Sequence, residues 1–421
     1  MLYIASTFPA LTHTFVLREI RQLRQLGMDV AIGQLRPLHR TPAAKGFEDL
    51  TLFVSGGGWS SVDMLKALVF FSFHKPVQLF RHLRVVLRAA GHPKNLVKMA
   101  YILLAAMKLA YRFRNANVKH VRAHFLHTEA IAARFVSDLL EIPYSLTAHT
   151  VVILHARSIM EEVVRGAAFL VADTNQVASF LLGFGVDPSH VHLIRNGVLK
   201  DEFVCRQDQR SSDPPILLAV GRLDLRKGFH ILLSACQTLV KRGVAFHCVI
   251  IGDGDERNRL IRLRRMLSLD KQVELLGNLS LEELRHWYRR ATVLVVPCLV
   301  SPDGESDGLP TVVIEAMASG LPVIGTITAG IPEAIENEVT GFLVPAQSAE
   351  DLAKRIEELL KDIRLRLRFA GNGRMLAERE FDLTRNVAVL QSIIQAHEKA
   401  RNGPVADTFS ARRFEVKEGF R

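Results

Sequence analysis

Apolar positions along this chain alternate between two periods. Short runs rich in aliphatic and β-branched residues fall at residues 1–5, 30–35, 120–123, 144–148 and 169–172, and each reads as a strand. Segments such as 15–26 and 128–140 bring apolar residues round every third or fourth position, the mark of an amphipathic helix. Strands separated by helices imply parallel sheets joined by right-handed crossovers. The alternation restarts near Pro214-Pro215, with strand runs at 216–220, 246–251, 273–276, 293–297, 322–324 and 341–344. Helix starts between them are explicit: Ser280 with Glu283 spells a capping box, and Ser348 with Asp351 is its shorter-armed relative. The polar stretch 205–215 ends in two prolines and is the natural linker. The pattern predicts two α/β domains, a last helix from residue 384, and a polar tail from Arg401 that frays.

Residues 59–114 depart from this rhythm. Phe70, Phe71, Phe73, Phe80, Leu83, Val86 and Leu87 are interleaved with Lys75, Arg81, Arg84, Arg88, Lys94 and Lys98, without strand punctuation. Amphipathic helices lying on an anionic membrane would read this way, as would core aromatics with a solvated cationic face.

Composition narrows the picture. The 421 residues suit two domains better than one, and 48% hydrophobic with 23% charged residues is the balance of a folded globular chain. The formal net charge of +11 favours anionic partners. With no RNP-like aromatic pattern and no zinc-finger spacing, nucleic acid is set aside, leaving anionic small molecules and a membrane surface. Cys205, Cys236, Cys248 and Cys298 are scattered without a CxxC pair, as core thiols of a reducing compartment would be. The opening Met1-Leu2-Tyr3-Ile4-Ala5 lacks a basic n-region, and no stretch of 18 apolar residues is free of charge. The expected location is the cytoplasm.

Two loops carry candidate chemistry. Gly221-Arg222-Leu223-Asp224-Leu225-Arg226-Lys227-Gly228 follows a strand and opens a helix. A diphosphate at that edge would meet a helix N-terminus, with Arg222 and Lys227, five residues apart, in reach. Arginine can clasp two phosphate oxygens and lysine acts as a point charge. An ordinary basic surface loop would look the same. Between Pro297 and Gly320 a strand ends, a Gly/Pro/Asp-rich loop follows, and a helix begins near Thr311. Its free N–H groups can cradle phosphate oxygens. Asp307 and Glu315 fit a phosphorylated ligand only if they face its hydroxyls, for which carboxylates are good acceptors. The plainer reading makes Asp307 a dipole-complementing acid and Glu315 part of a solvated helix face.

Taken in order, Arg222/Lys227 and Asp307-x7-Glu315 resemble the retaining nucleotide-sugar glycosyltransferase family 4, whose fold is GT-B: α/β, two Rossmann-like domains facing across a deep cleft. Supporting motifs are Ile194-Arg195-Asn196-Gly197-Val198, Gly252-Asp253-Gly254, Ala329-Gly330-Ile331-Pro332-Glu333 and Gly341-Phe342-Leu343-Val344-Pro345. The opening Phe8-Pro9-Ala10-Leu11-Thr12-His13-Thr14-Phe15 through Ile20 is similar to the branch acting in bacterial exopolysaccharide assembly, including the colanic-acid type. The resemblance spans residues 1–399.

It implies an acceptor-binding domain at 1–204, a donor-binding domain at 205–383, a helix at 384–400 returning to the first domain, and a flexible tail at 401–421. Arg222 and Lys227 would hold the donor diphosphate, Glu315 the ribose hydroxyls and Asp307 the donor sugar. The backbone of Gly308, Leu309, Pro310, Thr311 and Val312 would meet phosphate or sugar, while Gly221, Gly252 and Gly254 line the nucleotide. His149, closing a strand, matches the family histidine near the donor sugar and acceptor. Thr12, His13, Thr14 and His124 would line the cleft on the acceptor side, with His127 nearby. Asp307 stands where the family usually carries Glu, Thr150-Val151-Val152 replaces a small residue followed by Asp, Ala329 replaces a common Gly, and Leu199 an Asp.

The implied reaction moves a hexose to an acceptor hydroxyl, with retained anomeric configuration, no metal and no cofactor beyond the nucleotide-sugar co-substrate. The acceptor would be a glycan or a lipid-linked saccharide, and an anionic membrane a further partner. Two rivals stand beside it: a sugar-nucleotide epimerase of the same fold, and a non-catalytic sugar-nucleotide-binding scaffold.

Overall fold

The computed structural model describes residues 1–6, 14–36, 52–54, 61–88, 93–151, 157–203, 213–300 and 308–402. Strands β1 (Leu2–Ala5), β2 (Ala31–Gln34), β3 (Leu52–Val54), β4 (Val121–His124), β5 (Tyr144–Ala148), β6 (Phe169–Ala172) and β7 (Val191–Leu193) form one sheet in the order β3-β2-β1-β4-β5-β6-β7. Strands β8 (Ile216–Val220), β9 (His247–Ile251), β10 (Val273–Gly277), β11 (Val293–Val296), β12 (Val323–Thr326) and β13 (Gly341–Val344) form a second, in the order β10-β9-β8-β11-β12-β13. Every described pairing is parallel. Strand order reverses between β1 and β4 and again between β8 and β11, so each sheet has a switch point where a crevice opens at the strands' C-terminal ends.

Helices cover both faces of each sheet, so the strands are near-continuous apolar runs. Below the first sheet, α4 (Pro93–Phe113) and α5 (Thr128–Leu140) bury Ile102, Ala106, Ile131 and Phe135. Outside them lie α2 (Ser61–His74) and α3 (Pro76–Arg88), the helices of the basic aromatic segment. Pro76 and Pro93 occupy first helical positions, where a missing N–H costs nothing. On the other face, α1 (Thr14–Gln25) contributes Val16, Ile20 and Leu23. The last helix, α15 (Leu383–Asn402), packs there too through Leu383, Val387, Leu390 and Ile394. Burying those four side chains is worth on the order of 6–12 kcal/mol before ordering entropy, which ties the end of the described chain to the first sheet. The second sheet lies between α8 (Phe229–Lys241) with α13 (Ala349–Lys361) on one side, and α11 (Thr311–Ala318) with α14 (Ile363–Glu380) on the other.

Two strands lie outside the sequence pattern. Both β3 and β7 are three-residue strands at the edges of their sheet, too short to show a period. Strand β4 also runs one residue further than its apolar run, so His124 becomes its last residue. The Ser280 capping box is present in α10 (Leu281–Arg290), with both reciprocal bonds made, and Ser348 caps α13 through the Asp351 amide.

Candidate active site

In the C-terminal half the site grows from the switch point. Neighbouring strands β8 and β11 are followed by the loop 221–228 and by the described residues 297–300 and 308–310 that lead to α11 (Thr311–Ala318). The Leu299 amide donates to the Arg226 carbonyl at 2.7 Å, and the Leu223 amide to the Asp253 carbonyl at 2.9 Å, knitting three loops at one sheet edge. Gly252 is a tight point: its φ is +139°, and an added Cβ would sit 1.9 Å from the Gly221 carbonyl oxygen. Only glycine fits there, and this brings loop 252–254 against loop 221–228. Arg222 is about half exposed, and its guanidinium is steadied by Asp224, which Arg226 shares. Those two cations hold the Asp224 carboxyl below its ordinary range although burial pushes the other way. Residues Leu225–Lys227 form a 3-10 turn, and the Lys227 stem lies 3.3 Å from where a Gly221 Cβ would be.

Helix α11 starts at Thr311 after Pro310, with no side-chain cap; the Val313 amide turns back to the Pro310 carbonyl at 3.0 Å, and the Thr311 and Val312 amides lie at the helix end where an anion would be met. Thr311 and Val312 are half-buried at that end, whereas Leu309 packs into the core, so only its backbone could meet a ligand. Glu315 differs from a solvated helix acid. It is 3% exposed; Arg18 of α1 donates to its Oε1 at 2.9 Å, and the Tyr288 hydroxyl to its Oε2 at 2.9 Å. A carboxylate has about four lone-pair sites, so two bonds leave capacity for hydroxyls, but the group faces the N-terminal half and not open solvent.

In the N-terminal half the polar groups form a row. Neighbouring strands β4 and β5 and the turn after β6 place His124, His149 and Asp173 at adjacent strand ends. Nδ1 of His124 is 2.9 Å from Nε2 of His149, whose Nδ1 is 2.9 Å from Oδ2 of Asp173. On the far side, Nε2 of His124 meets Oε1 of Glu19 at 3.1 Å. Glu19 also accepts from Arg122 at 2.9 Å and from the Tyr3 hydroxyl, and Asn196 donates to Asp173 at 3.0 Å. Burial alone would raise the Glu19 carboxyl; Arg122 and His124 overturn this and hold it well below the usual range. Burial pushes His124 down to about 4.

The two halves touch at this edge. A Cβ on Gly308 would lie 2.0 Å from the His149 carbonyl oxygen, so the loop entering α11 rests on the end of β5. Glu333, in α12 (Ile331–Ala334), accepts from the Asn175 and Gln176 amides at the start of α7 (Asn175–Leu182) and from Arg195 at 3.1 Å.

The structure thus brings together Gly221, Arg222, Lys227, Gly252 and Gly254 on one sheet edge, and joins Gly308 and Glu315 to His149 and Arg18 of the other half. Thr14 opens α1 and is half-buried. Thr12, His13 and Asp307 lie outside the described residues. Sequence reading missed Arg18, Glu19, Arg122, Asp173, Asp224 and Tyr288. Asp173 could have been found as the first residue after a parallel strand; Arg18 and Glu19 lie in the opening motif that carries the resemblance, but inside an amphipathic helix whose pattern assigns them no role.

Comparison with known proteins bears on this arrangement. Residues 201–375 match the family described as Glycosyl transferases group 1. A Salmonella typhimurium protein named as a colanic acid biosynthesis glycosyltransferase, WcaL, is 34% identical over 181 residues, covering 43% of this chain and 45% of that protein. The amylovoran biosynthesis glycosyltransferase AmsK of Erwinia amylovora is 33% identical over 173 residues, 41% of this chain and 42% of AmsK. The matched stretch therefore spans less than half the length of either relative. The crystal structure of Anabaena HepE in complex with UDP and glucose superposes with a TM-score of 0.72 at 15% identity, covering 94% of this chain and 99% of HepE. Sucrose-phosphate synthase from Thermosynechococcus elongatus superposes at 0.69 with 18% identity, covering 95% and 99%. These likenesses establish the two-sheet fold. Residues 201–375 accordingly resemble the Glycosyl transferases group 1 family, in a chain with the GT-B fold.

Proposed function

We propose that this chain transfers a hexose from a nucleotide diphosphate sugar to a hydroxyl of a glycan or lipid-linked acceptor, in the building of exopolysaccharide or another envelope polysaccharide. One observation carries the reading: the loop bearing Arg222 and Lys227 and the segment leading to α11 leave neighbouring strands at a switch point, and the first is bonded both to the second, through the Leu299 amide, and to the loop holding Gly252. A diphosphate there is met by two cations and a helix end. These charges favour the leaving nucleotide most as the glycosidic bond breaks, when its negative charge grows. No step then calls for a metal or for a protein nucleophile. Retention of configuration follows if the leaving phosphate takes the acceptor proton on the same face. The relatives' names support polysaccharide assembly, and the UDP-bound neighbour supports a nucleotide donor.

The acceptor side of this reading includes an anionic bilayer under α2 and α3. Val62, Leu65, Phe73, Val77, Phe80 and Leu87 are exposed on these helices, Phe73 at 80%. Exposed Lys66, Arg81, Arg84 and Arg88 lie among them, with Asp63 the sole acid of the two helices. An apolar face rimmed by cations suits an anionic lipid surface. No helix among the described residues is long and apolar enough to cross a membrane, so the expected contact is peripheral. Flotation with phosphatidylglycerol vesicles should recover the chain at low salt, and Phe73→Ser/Phe80→Ser should abolish recovery. Equal recovery of the variant would remove this face from the account.

Lys227→Ala tests the main proposal. Transfer of labelled sugar should fall about 10²–10³-fold while the thermal midpoint stays unchanged. Unchanged turnover would remove the diphosphate assignment. Donor conversion without any acceptor would mark an epimerase instead, and binding without turnover a scaffold.

A further inference from the structure

The row in the N-terminal half holds more hydrogen-bond contacts than two neutral imidazoles can supply with protons. Its two ends, Glu19 and Asp173, are carboxylates, which only accept hydrogen bonds when ionised. Three contacts link them through two imidazoles: Glu19 to His124, His124 to His149, and His149 to Asp173, at 3.1, 2.9 and 2.9 Å. Each contact needs one proton. Two neutral imidazoles hold two. A third proton is required for all three bonds to be made at once.

We propose that His124 and His149 share three ring protons at neutral pH, so that the pair carries one positive charge, fixed where the N-terminal half meets the loop entering α11. The surroundings agree. Nε2 of His124 must donate to Glu19, leaving its Nδ1 as acceptor, and burial opposes a second proton on His124. The charge then rests on His149, with Nδ1–H toward Asp173 and Nε2–H toward His124. Arg122 cancels Glu19 from β4, so Asp173 is the carboxylate that balances the imidazolium. Phe15 and Phe125 pack on the His149 ring at 4.6 and 5.2 Å between centroids, and the residue is 6% exposed. Water therefore screens the charge poorly.

This deepens the proposed function and rests on it for its purpose. The His149 carbonyl abuts Gly308, three residues before α11. A cation there adds, from the opposite wall, to the field met by a departing diphosphate. Asp173, His124 and Glu19 are positioning residues: they act by keeping His149 protonated and its ring edge in place, not by touching substrate.

The test reads ring protons directly. The whole chain is labelled with 15N-histidine, and two-bond 1H–15N correlations are recorded at pH 7 without substrate, with His124→Gln and His149→Gln supplying the assignments. Three protonated nitrogens among the four of the pair are expected, both His149 nitrogens included. In Asp173→Asn, whose amide oxygen can still accept the bond, the third proton should be lost. Two ring protons in the unmodified chain, or three persisting in Asp173→Asn, overturns the proposal. In a separate transfer assay Asp173→Asn should lower kcat about tenfold or more with donor KM nearly constant, and Glu19→Asp should partly retain the rate. An unaltered kcat overturns the role. Because the proton count needs no substrate, a correct count in a chain that transfers no sugar would contradict the proposed function alone.

Discussion

The two halves of this molecule share a fold and hold their chemistry in opposite ways. The C-terminal half gathers backbone and a solvent-facing cation: Gly252 packed on Gly221, the start of α11 without a side-chain cap, and a half-exposed Arg222. The N-terminal half buries its polar groups in a hydrogen-bonded row from Glu19 to Asp173. Exposed loops of glycine and cation suit a ligand that arrives and leaves with its own charge, since little protein desolvation is needed beforehand. A buried row suits a fixed charge that must keep one geometry. The contrast teaches that one fold can present open glycine and cation loops in one half and a buried hydrogen-bonded row in the other by changing what sits at the strand ends.

The strongest way to break the comparison is at the join. Arg18→Ala leaves Glu315 buried without its cation, and removing one member of a buried pair costs about 3–5 kcal/mol. Denaturant midpoints should fall accordingly. A change near zero would mean that Arg18 and Glu315 do not clasp the halves in solution. Gly308→Ala should be milder, on the order of 1–3 kcal/mol: a methyl directed at the His149 carbonyl forces the halves apart. X-ray scattering should report a larger radius of gyration for this variant, and an unchanged radius would mean the contact gives way locally.

A change of pH sharpens the account of buried histidines. Burial lowers His120 to about 3, with Arg122 adding to it, and lowers His82 to about 3, with Arg134 adding to it. In the unfolded chain each titrates near 6.5. Below that value the unfolded state binds protons that the folded state refuses, so stability is full above pH 6.5 and is lost as pH falls toward the folded values. Each group contributes a slope of about 1.4 kcal/mol per pH unit between roughly pH 6 and 4. Urea midpoints at pH 7, 6 and 5 should decline in that order, and His120→Gln should flatten the decline. A midpoint that rises on acidification would contradict the assignment of neutral, buried rings.

The same contrast explains what the sequence made legible. The strands at 144–148, 169–172, 216–220 and 341–344 and the helix at 128–140 fall on β5, β6, β8, β13 and α5 residue for residue, because their apolar periods are long enough to register. The loop 221–228 and the start of α11 were equally readable as strand-to-helix turns, since their residues are close in sequence. The row of the N-terminal half was not. Glu19 lies 105 residues from His124, and His149 lies 24 from Asp173; only the strand order β1-β4-β5-β6 makes them neighbours. For Glu315 the residue was legible and its surroundings were not, because Arg18 and Tyr288 reach it from elements 297 and 27 residues away.

The direct measurement is a thermal melt of the unmodified chain against UDP-, GDP- and ADP-sugars, repeated with Arg222→Ala and Lys227→Ala. A donor at one hundred times its Kd adds about 2.7 kcal/mol, a rise on the order of a few degrees for a chain of this size. One nucleotide class should raise the midpoint of the unmodified chain and leave both variants nearly unmoved. If no nucleotide sugar shifts the unmodified chain, or if both variants shift as far as it does, the two cations do not hold a donor diphosphate.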